Sequence, residues 1–231
     1  QPTVHHKWDD NIAILSGDVM LVKAYQQLSK TNSDVLPELI ELFNTTAIEV
    51  CEGQQMDMDF EKRSSVSQGE YINMIRLKTS VLLGCALKMG GIISKTLDEN
   101  CKHIYDFGVN VGIAFQIQDD WLDLYGDKTK VGKQTGGDII ANKNTLLSIV
   151  AKENANQHQL SELQTMRNMA NPLEKVKTAK SLFEKLNVKE NCLQVMKDYH
   201  SKAMDSLSKI ETTNDKSSLI SLTDSLLNRE F

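Results

Sequence analysis

Three aspartates, Asp119, Asp120 and Asp123, lie close together at the end of an apolar stretch with helical spacing. On a helix, Asp119 and Asp123 are one turn apart, and such like charges repel by a few tenths of a kcal/mol per pair. They also oppose the negative end of the helix dipole. A hard divalent cation would turn repulsion into attraction, and the carboxylate ligands favour Mg²⁺, with Mn²⁺ as a substitute. The alternative is a solvated acidic helix end without metal.

A segment rich in glycine and lysine follows the aspartates. Residues 126–138 contain four glycines and three lysines, and flexible backbone beside cations suits an anion. This is not a nucleotide-binding P-loop, because Gly126 is one residue too far from Gly132, Gln134 replaces the required Ser or Thr, and no strand precedes it. The pattern therefore excludes that class of NTPase.

Three lysines complete the candidate chemistry. Lys133 and Lys143 lie just after the aspartates, and Lys78 lies on the apolar stripe of an earlier helix. A partly desolvated ammonium there calls for an anionic partner, unless its stem follows the stripe and its head reaches water. Divalent metal and lysines around one polyanion would form a diphosphate site.

The elements that must position these residues are predicted to be helices. Apolar residues recur at helical rather than alternating spacing, and the chain has only three prolines. Ser-x-x-Glu patterns at Ser67–Glu70 and Thr96–Glu99 predict capping boxes, and Asp138 is a candidate cap for a helix beginning at Ile139. The longer predicted helices run from about 11 to 28, from 37 toward 60, from 67 to about 90, and from 96 toward 124.

Composition removes several other classes of protein. The net charge is −5 with no basic block, which argues against nucleic-acid binding. No apolar run approaches the roughly 20 residues of a membrane-spanning helix. The four cysteines form no C-x-x-C pair and predict a reducing, cytoplasmic setting. With no linker or repeat, residues 1–231 are predicted to form a single all-α domain.

The motifs as a group resemble the trans-isoprenyl diphosphate synthases, the polyprenyl synthetase family. The likeness is strong from the first residue to about Thr145, and the later helices agree only in general character. The matching segments are Leu15–Asp18, Glu52–Asp57, Lys78–Thr79, Phe115–Asp123, Gly132–Ile139 and Lys143–Thr145. The resemblance implies an isoprenoid-synthase-like bundle of helices around a central cavity. It also implies a homodimer, the usual state of family members.

For an intact enzyme, the resemblance implies head-to-tail condensation of an allylic diphosphate with isopentenyl diphosphate. Asp119 and Asp123 are then expected to bind the metal, with Asp120 orienting metal-bound water. Lys78, Lys133 and Lys143 would contact the allylic diphosphate. The oxygens of Thr79 and Gln116 would face the allylic cation, and released diphosphate would remove the final proton.

The sequence departs from the family pattern at its start. The family places a first aspartate-rich motif and two arginines just before a Pro-Thr-x-His segment, and here Pro2–His5 stands at the beginning. We therefore expect that the N-terminal helices are missing and that the chain by itself is inactive. Product length, which the family sets on a helix before that motif, is not predicted. A noncatalytic diphosphate-binding or regulatory subunit is the alternative function.

Overall fold

The computed structural model describes residues 2–126 and 135–227, and these residues form an all-helical bundle. The helices are α1 (Val4–Lys7), α2 (Asp10–Leu28), α3 (Leu36–Glu61), α4 (Gln68–Ile75), a π-helical segment (Arg76–Ser80), α5 (Val81–Ile93), α6 (Asp98–Tyr125), α7 (Gly137–Ile140), α8 (Leu146–Asn154), α9 (Gln157–Arg167), α10 (Pro172–Lys185), α11 (Val188–Ser208) and α12 (Ser217–Leu227).

Helix α6 runs through the centre of the bundle and carries the three aspartates in its last two turns. It packs most extensively against α11 and α5. Apolar side chains such as Ile113 and Ile117 join the largest buried cluster, together with Tyr71 and Phe183. The aspartates therefore lie on the helix that contributes the most buried residues to the described chain.

The predicted capping box at Ser67 is confirmed. The Ser67 hydroxyl accepts from the Glu70 backbone N–H, and the Glu70 carboxylate accepts from the Ser67 backbone N–H. The helical run that follows extends from Gln68 to Ile93, close to the predicted end near Gly90, and the π-helical segment lies within it between α4 and α5. Such π-helical turns are frequent at functional sites.

Two other predicted caps are wrong. The N-cap of α6 is Leu97, without a side-chain cap, and the Thr96 hydroxyl instead accepts from the Asn100 side chain. The N-cap of α7 is Gly136 rather than Asp138, and its φ of 77° lies in the left-handed region that glycine adopts without strain. Asp138 therefore lies within α7, and its carboxylate does not cap the helix.

Helix α2 exposes most of its apolar side chains, and none of its residues is buried. Leu15, Val19 and Val22 are each more than half exposed. Its contacts with the rest of the described chain are few and lie on α1 and α3. No helix within the described ranges is long and apolar enough to cross a lipid bilayer.

Candidate active site

A pocket of about 80 Å³ brings α3, α4, α6, the π-helical segment and residues after α7 together. Its charged lining residues are Asp57, Glu61, Lys78, Asp120, Asp138 and Lys143. The sequence alone does not show that these six residues are neighbours, because they come from four separate parts of the chain. The pocket therefore places two predicted lysines and one predicted aspartate around one space.

Lys78 reaches the pocket from the π-helical segment. Its Nζ lies 2.7 Å from Oδ2 of Asp57, and both side chains are partly exposed. A Cβ on Gly53, one turn before Asp57 on α3, would lie 2.3 Å from the backbone nitrogen of Lys78. Only glycine permits this close approach of α3 to the π-helical segment. The approach brings the Asp57 carboxylate within reach of Lys78, and Asp57 is therefore the anionic partner expected for this lysine.

A chain of hydrogen bonds joins three elements across the pocket. The Tyr71 hydroxyl donates to Oδ2 of Asp120 at 2.5 Å, and the Gln116 amide nitrogen donates to Oδ1 at 3.2 Å. The Thr79 hydroxyl donates to the amide oxygen of Gln116 at 3.2 Å. With its nitrogen bound to a carboxylate, the Gln116 amide directs its oxygen toward Thr79. The two neutral oxygens expected beside the allylic cation are thus adjacent.

Burial dominates the electrostatics of Asp120. It raises the pKa of this carboxyl to about 7, with a further rise from the nearby Asp138 charge, while the hydrogen bonds from Tyr71 and Gln116 act in the opposite direction. Burial also raises the pKa of Tyr71 well above its usual value, so the phenol stays a donor. Asp120 is therefore held by protein donors within the bundle.

Asp123 has a different environment. Its two oxygens accept from the backbone N–H groups of Gly137 and Asp138, at 3.2 and 3.1 Å. Burial raises its pKa, and Asp138 adds to the rise, although the two backbone donors lower it. Asp123 thereby links the end of α6 to the start of α7.

Asp119 is exposed, unlike its two neighbours. Among residues 2–126 and 135–227, no three His, Cys, Asp or Glu side chains are close enough to hold one metal ion. The predicted convergence of all three aspartate carboxylates on one metal ion is therefore not seen in this geometry. The donor chemistry nevertheless fits a hard cation. Burial is the main cause of the raised pKa of both Asp120 and Asp123, the charge of Asp138 adds to it, and a divalent cation would relieve that added repulsion.

Lys143 lies beside Asp138, with its Nζ 3.1 Å from Oδ1. Burial lowers its pKa, but the bond to Asp138 and the charges of Asp57 and Asp120 outweigh this effect and raise the pKa overall. The ammonium therefore remains charged toward the pocket. Lys133, which was assigned to the same diphosphate, lies outside the described residues.

Two carboxylates of the pocket, Asp57 and Asp138, were not among the predicted site residues. Both lie within segments that match the family, and Asp138 was also predicted as a helix cap. The available signal was their position: Asp57 follows Gly53 by one helical turn, and Asp138 precedes Lys143 by five residues. The structure places both carboxylates next to predicted lysines.

The chain is similar to several known proteins over most of its length. A short chain isoprenyl diphosphate synthase of Methanothermobacter thermautotrophicus is 32% identical over the whole of this chain, which spans 71% of that protein. A geranylgeranyl diphosphate synthase of Saccharolobus solfataricus is 34% identical over 92% of this chain, which spans 65% of that protein. The crystal structure of geranylgeranyl pyrophosphate synthetase from Pyrococcus horikoshii matches with a TM-score of 0.92 and 34% identity, covering all of this chain and 71% of that one.

The chain thus spans between about two thirds and three quarters of the length of these relatives. The family model described as polyprenyl synthetase matches residues 1–186, most of the chain. Since a whole-chain relative above 30% identity, a close structural match and this family model all agree, the chain belongs to the polyprenyl synthetase family.

Proposed function

We propose that this chain is the larger part of a prenyltransferase that elongates an allylic diphosphate by head-to-tail condensation with isopentenyl diphosphate. The relatives named as isoprenyl diphosphate synthases support this class of reaction. The observation that carries the proposal is the pocket lined by Lys78 and Lys143, which come from elements far apart in sequence and pair with the carboxylates of Asp57 and Asp138. A diphosphate bound there would replace those carboxylates as the partner of both ammonium groups.

The reaction needs a leaving group that can accept negative charge. The allylic C–O bond breaks, the allylic carbon forms a C–C bond to isopentenyl diphosphate, and a proton leaves to the released diphosphate. Lys78, Lys133 and Lys143 would stabilise the charge that develops on that diphosphate. The oxygens of Thr79 and Gln116, joined at 3.2 Å, would face the cation as neutral dipoles. No protein base is required.

Mg²⁺ or Mn²⁺ is the proposed cofactor, and it would supply Lewis-acid stabilisation of the diphosphate. We propose Asp119 and Asp123 as its ligands, and Asp120 as the residue that orients metal-bound water. The firm hold of Tyr71 and Gln116 on Asp120 supports an orienting role, since both of its oxygens already have protein donors. The exposed carboxylate of Asp119 is accessible to a hydrated ion.

The oligomer that we propose is a homodimer. The support is α2, whose apolar side chains are exposed on the described chain; they include Ile14, Leu15, Val19, Met20 and Val22. Exposed apolar surface of this kind is typical of protein contact sites. Sedimentation at several protein concentrations, with Val19→Glu as a disruptive variant, tests the association.

Calorimetric titration with pyrophosphate in Mg²⁺ tests the binding site. Lys133→Gln and Lys143→Gln should each weaken binding by about 1.5–3 kcal/mol, as expected for a hydrogen bond to a charged group. Lys102→Gln, an exposed lysine on α6, is the control, and circular dichroism verifies the fold. Unchanged affinity in both Lys133→Gln and Lys143→Gln would remove the lysine assignments.

Turnover distinguishes the enzyme from a noncatalytic diphosphate-binding or regulatory subunit. In an enzyme, Asp119→Ala and Asp123→Ala should each reduce turnover by at least about a hundredfold, as loss of a key electrostatic group commonly does. We also propose that residues 1–231 alone do not elongate allylic substrates, because the first aspartate-rich motif is not among them. Pyrophosphate binding without any turnover in the longer protein would favour the noncatalytic function.

A further inference from the structure

Lys175 on α10 is a buried cation outside the pocket. It is 4% exposed and forms no ion pair with a carboxylate of residues 2–126 or 135–227. Its Nζ instead donates to the backbone carbonyl of Ile140 at 3.1 Å. Burial lowers the pKa of Lys175, and the nearby charge of Arg167 lowers it further. Burying an ammonium group with a neutral carbonyl as its partner costs free energy of folding.

The carbonyl of Ile140 lies at the C-terminal end of α7, where the negative end of the backbone dipoles favours a cation. The residue next to Lys175 contacts the other end of the same helix. A Cβ on Gly136, the N-cap of α7, would lie 2.7 Å from Cγ2 of Val176. Successive residues of α10 therefore hold both ends of α7.

Helix α7 connects the two charged parts of the candidate site. At its start, the Gly136 backbone N–H donates to the Asp123 carbonyl at 2.7 Å. After its end, the Lys143 backbone N–H donates to the Asp138 carbonyl at 3.0 Å. Arg167 adds a second cation there, donating to the Asn142 carbonyl at 3.1 Å. The position of α7 thus sets where Asp138 and Lys143 meet the pocket.

We infer that Lys175 is a positioning residue of the diphosphate site: its buried ammonium, bonded to the end of α7, holds Asp138 and Lys143 toward the pocket. Lys175 acts through α7 and does not line the pocket itself. This inference rests on the proposed function for its ligand. Its geometric part, the support of α7 by α10, is independent of any ligand.

Lys175→Met keeps the apolar stem and removes the ammonium. The matched control is Lys177→Met, an exposed lysine two residues along the same helix. We expect Lys175→Met to weaken Mg²⁺-pyrophosphate binding by about tenfold, as loss of an outer supporting contact commonly does. Stability should be unchanged or higher, because an apolar residue replaces a buried charge without a carboxylate partner. Hydrogen exchange of the Asp138 and Lys143 amides should become faster, and Lys177→Met should change none of these quantities.

A structural role predicts a different combination. If Lys175→Met lowers stability and accelerates exchange throughout α10, Lys175 is a packing residue and the inference is overturned. Unchanged exchange at Asp138 and Lys143 also overturns it. If the wild-type chain binds no pyrophosphate, the proposed function fails, and the exchange measurement still decides whether Lys175 holds α7. Should Lys175→Met not fold, Lys175→Gln also removes the charge and provides the same test with the same expected and contrary outcomes.

Discussion

Gly53→Ala should destabilise the protein and displace Lys78. The new Cβ would lie 2.3 Å from the backbone nitrogen of Lys78, 2.7 Å from its Cα and 2.8 Å from the carbonyl carbon of Leu77. All three contacts are with backbone, so no side-chain rotation relieves them. Either α3 or the π-helical segment must move.

The required movement sets the magnitude. Non-bonded carbon atoms pack at about 3.5–4.0 Å, so the two backbones must separate by roughly 1 Å. Overpacking of this kind costs about 1–3 kcal/mol, against a gain of about 0.5–1 kcal/mol from replacing glycine within a helix. The net loss expected is about 1–2 kcal/mol, or several degrees in Tm for a chain of this size. The same movement lengthens the 2.7 Å contact between Lys78 and Asp57.

Urea unfolding of Gly53→Ala and Gly90→Ala measures the effect. Gly90 lies in α5 and has no heavy atom within 4 Å of the position of a Cβ, so its substitution should leave stability unchanged or raise it by up to about 1 kcal/mol. Pyrophosphate titration then tests the site, where Gly53→Ala should bind more weakly and Gly90→Ala should match wild type. Equal stability changes in the two variants would refute the close-approach argument.

Three further predictions concern single side chains. Glu70→Gln should lower stability most above pH 4.5 and not at about pH 2, because hydrogen bonds from Ser67 and Arg63 lower the pKa of Glu70 to about 2. The stability that the charged carboxylate contributes is lost as the pH falls toward that value. Unfolding at several pH values measures the difference from wild type, and a difference that does not change with pH would contradict the prediction. Tyr71→Phe should raise the pKa of Asp120 further, because the phenol hydrogen bond lowers it, and NMR titration of the carboxyl carbon in metal-free buffer measures the change. Asp57→Asn should bind pyrophosphate more tightly in EDTA, because the Lys78 ammonium loses its carboxylate partner, and unchanged affinity would remove that competition from the site.

Local features of the chain were predictable from the sequence. Helical periodicity and the Ser67–Glu70 capping box depend on contacts within one or two turns, so the all-α class and several helix limits follow directly from residue order. The family resemblance and the charged motifs also identified Lys78, Asp120 and Lys143, which the structure places in one pocket. The roles of Lys133 and of the metal-binding aspartates stay predictions.

Tertiary packing decided the remaining features. The sequence predicted an anionic partner for Lys78 but did not identify it as Asp57, which is 21 residues earlier. Asp57 comes within reach only because α3 approaches the π-helical segment closely at Gly53. The separate environments of Asp119, Asp120 and Asp123 likewise depend on what packs against α6, which helical spacing alone does not specify. Contact between distant segments depends on how whole helix faces are buried together, and burial, rather than spacing, determines which charges meet and how their pKa values shift.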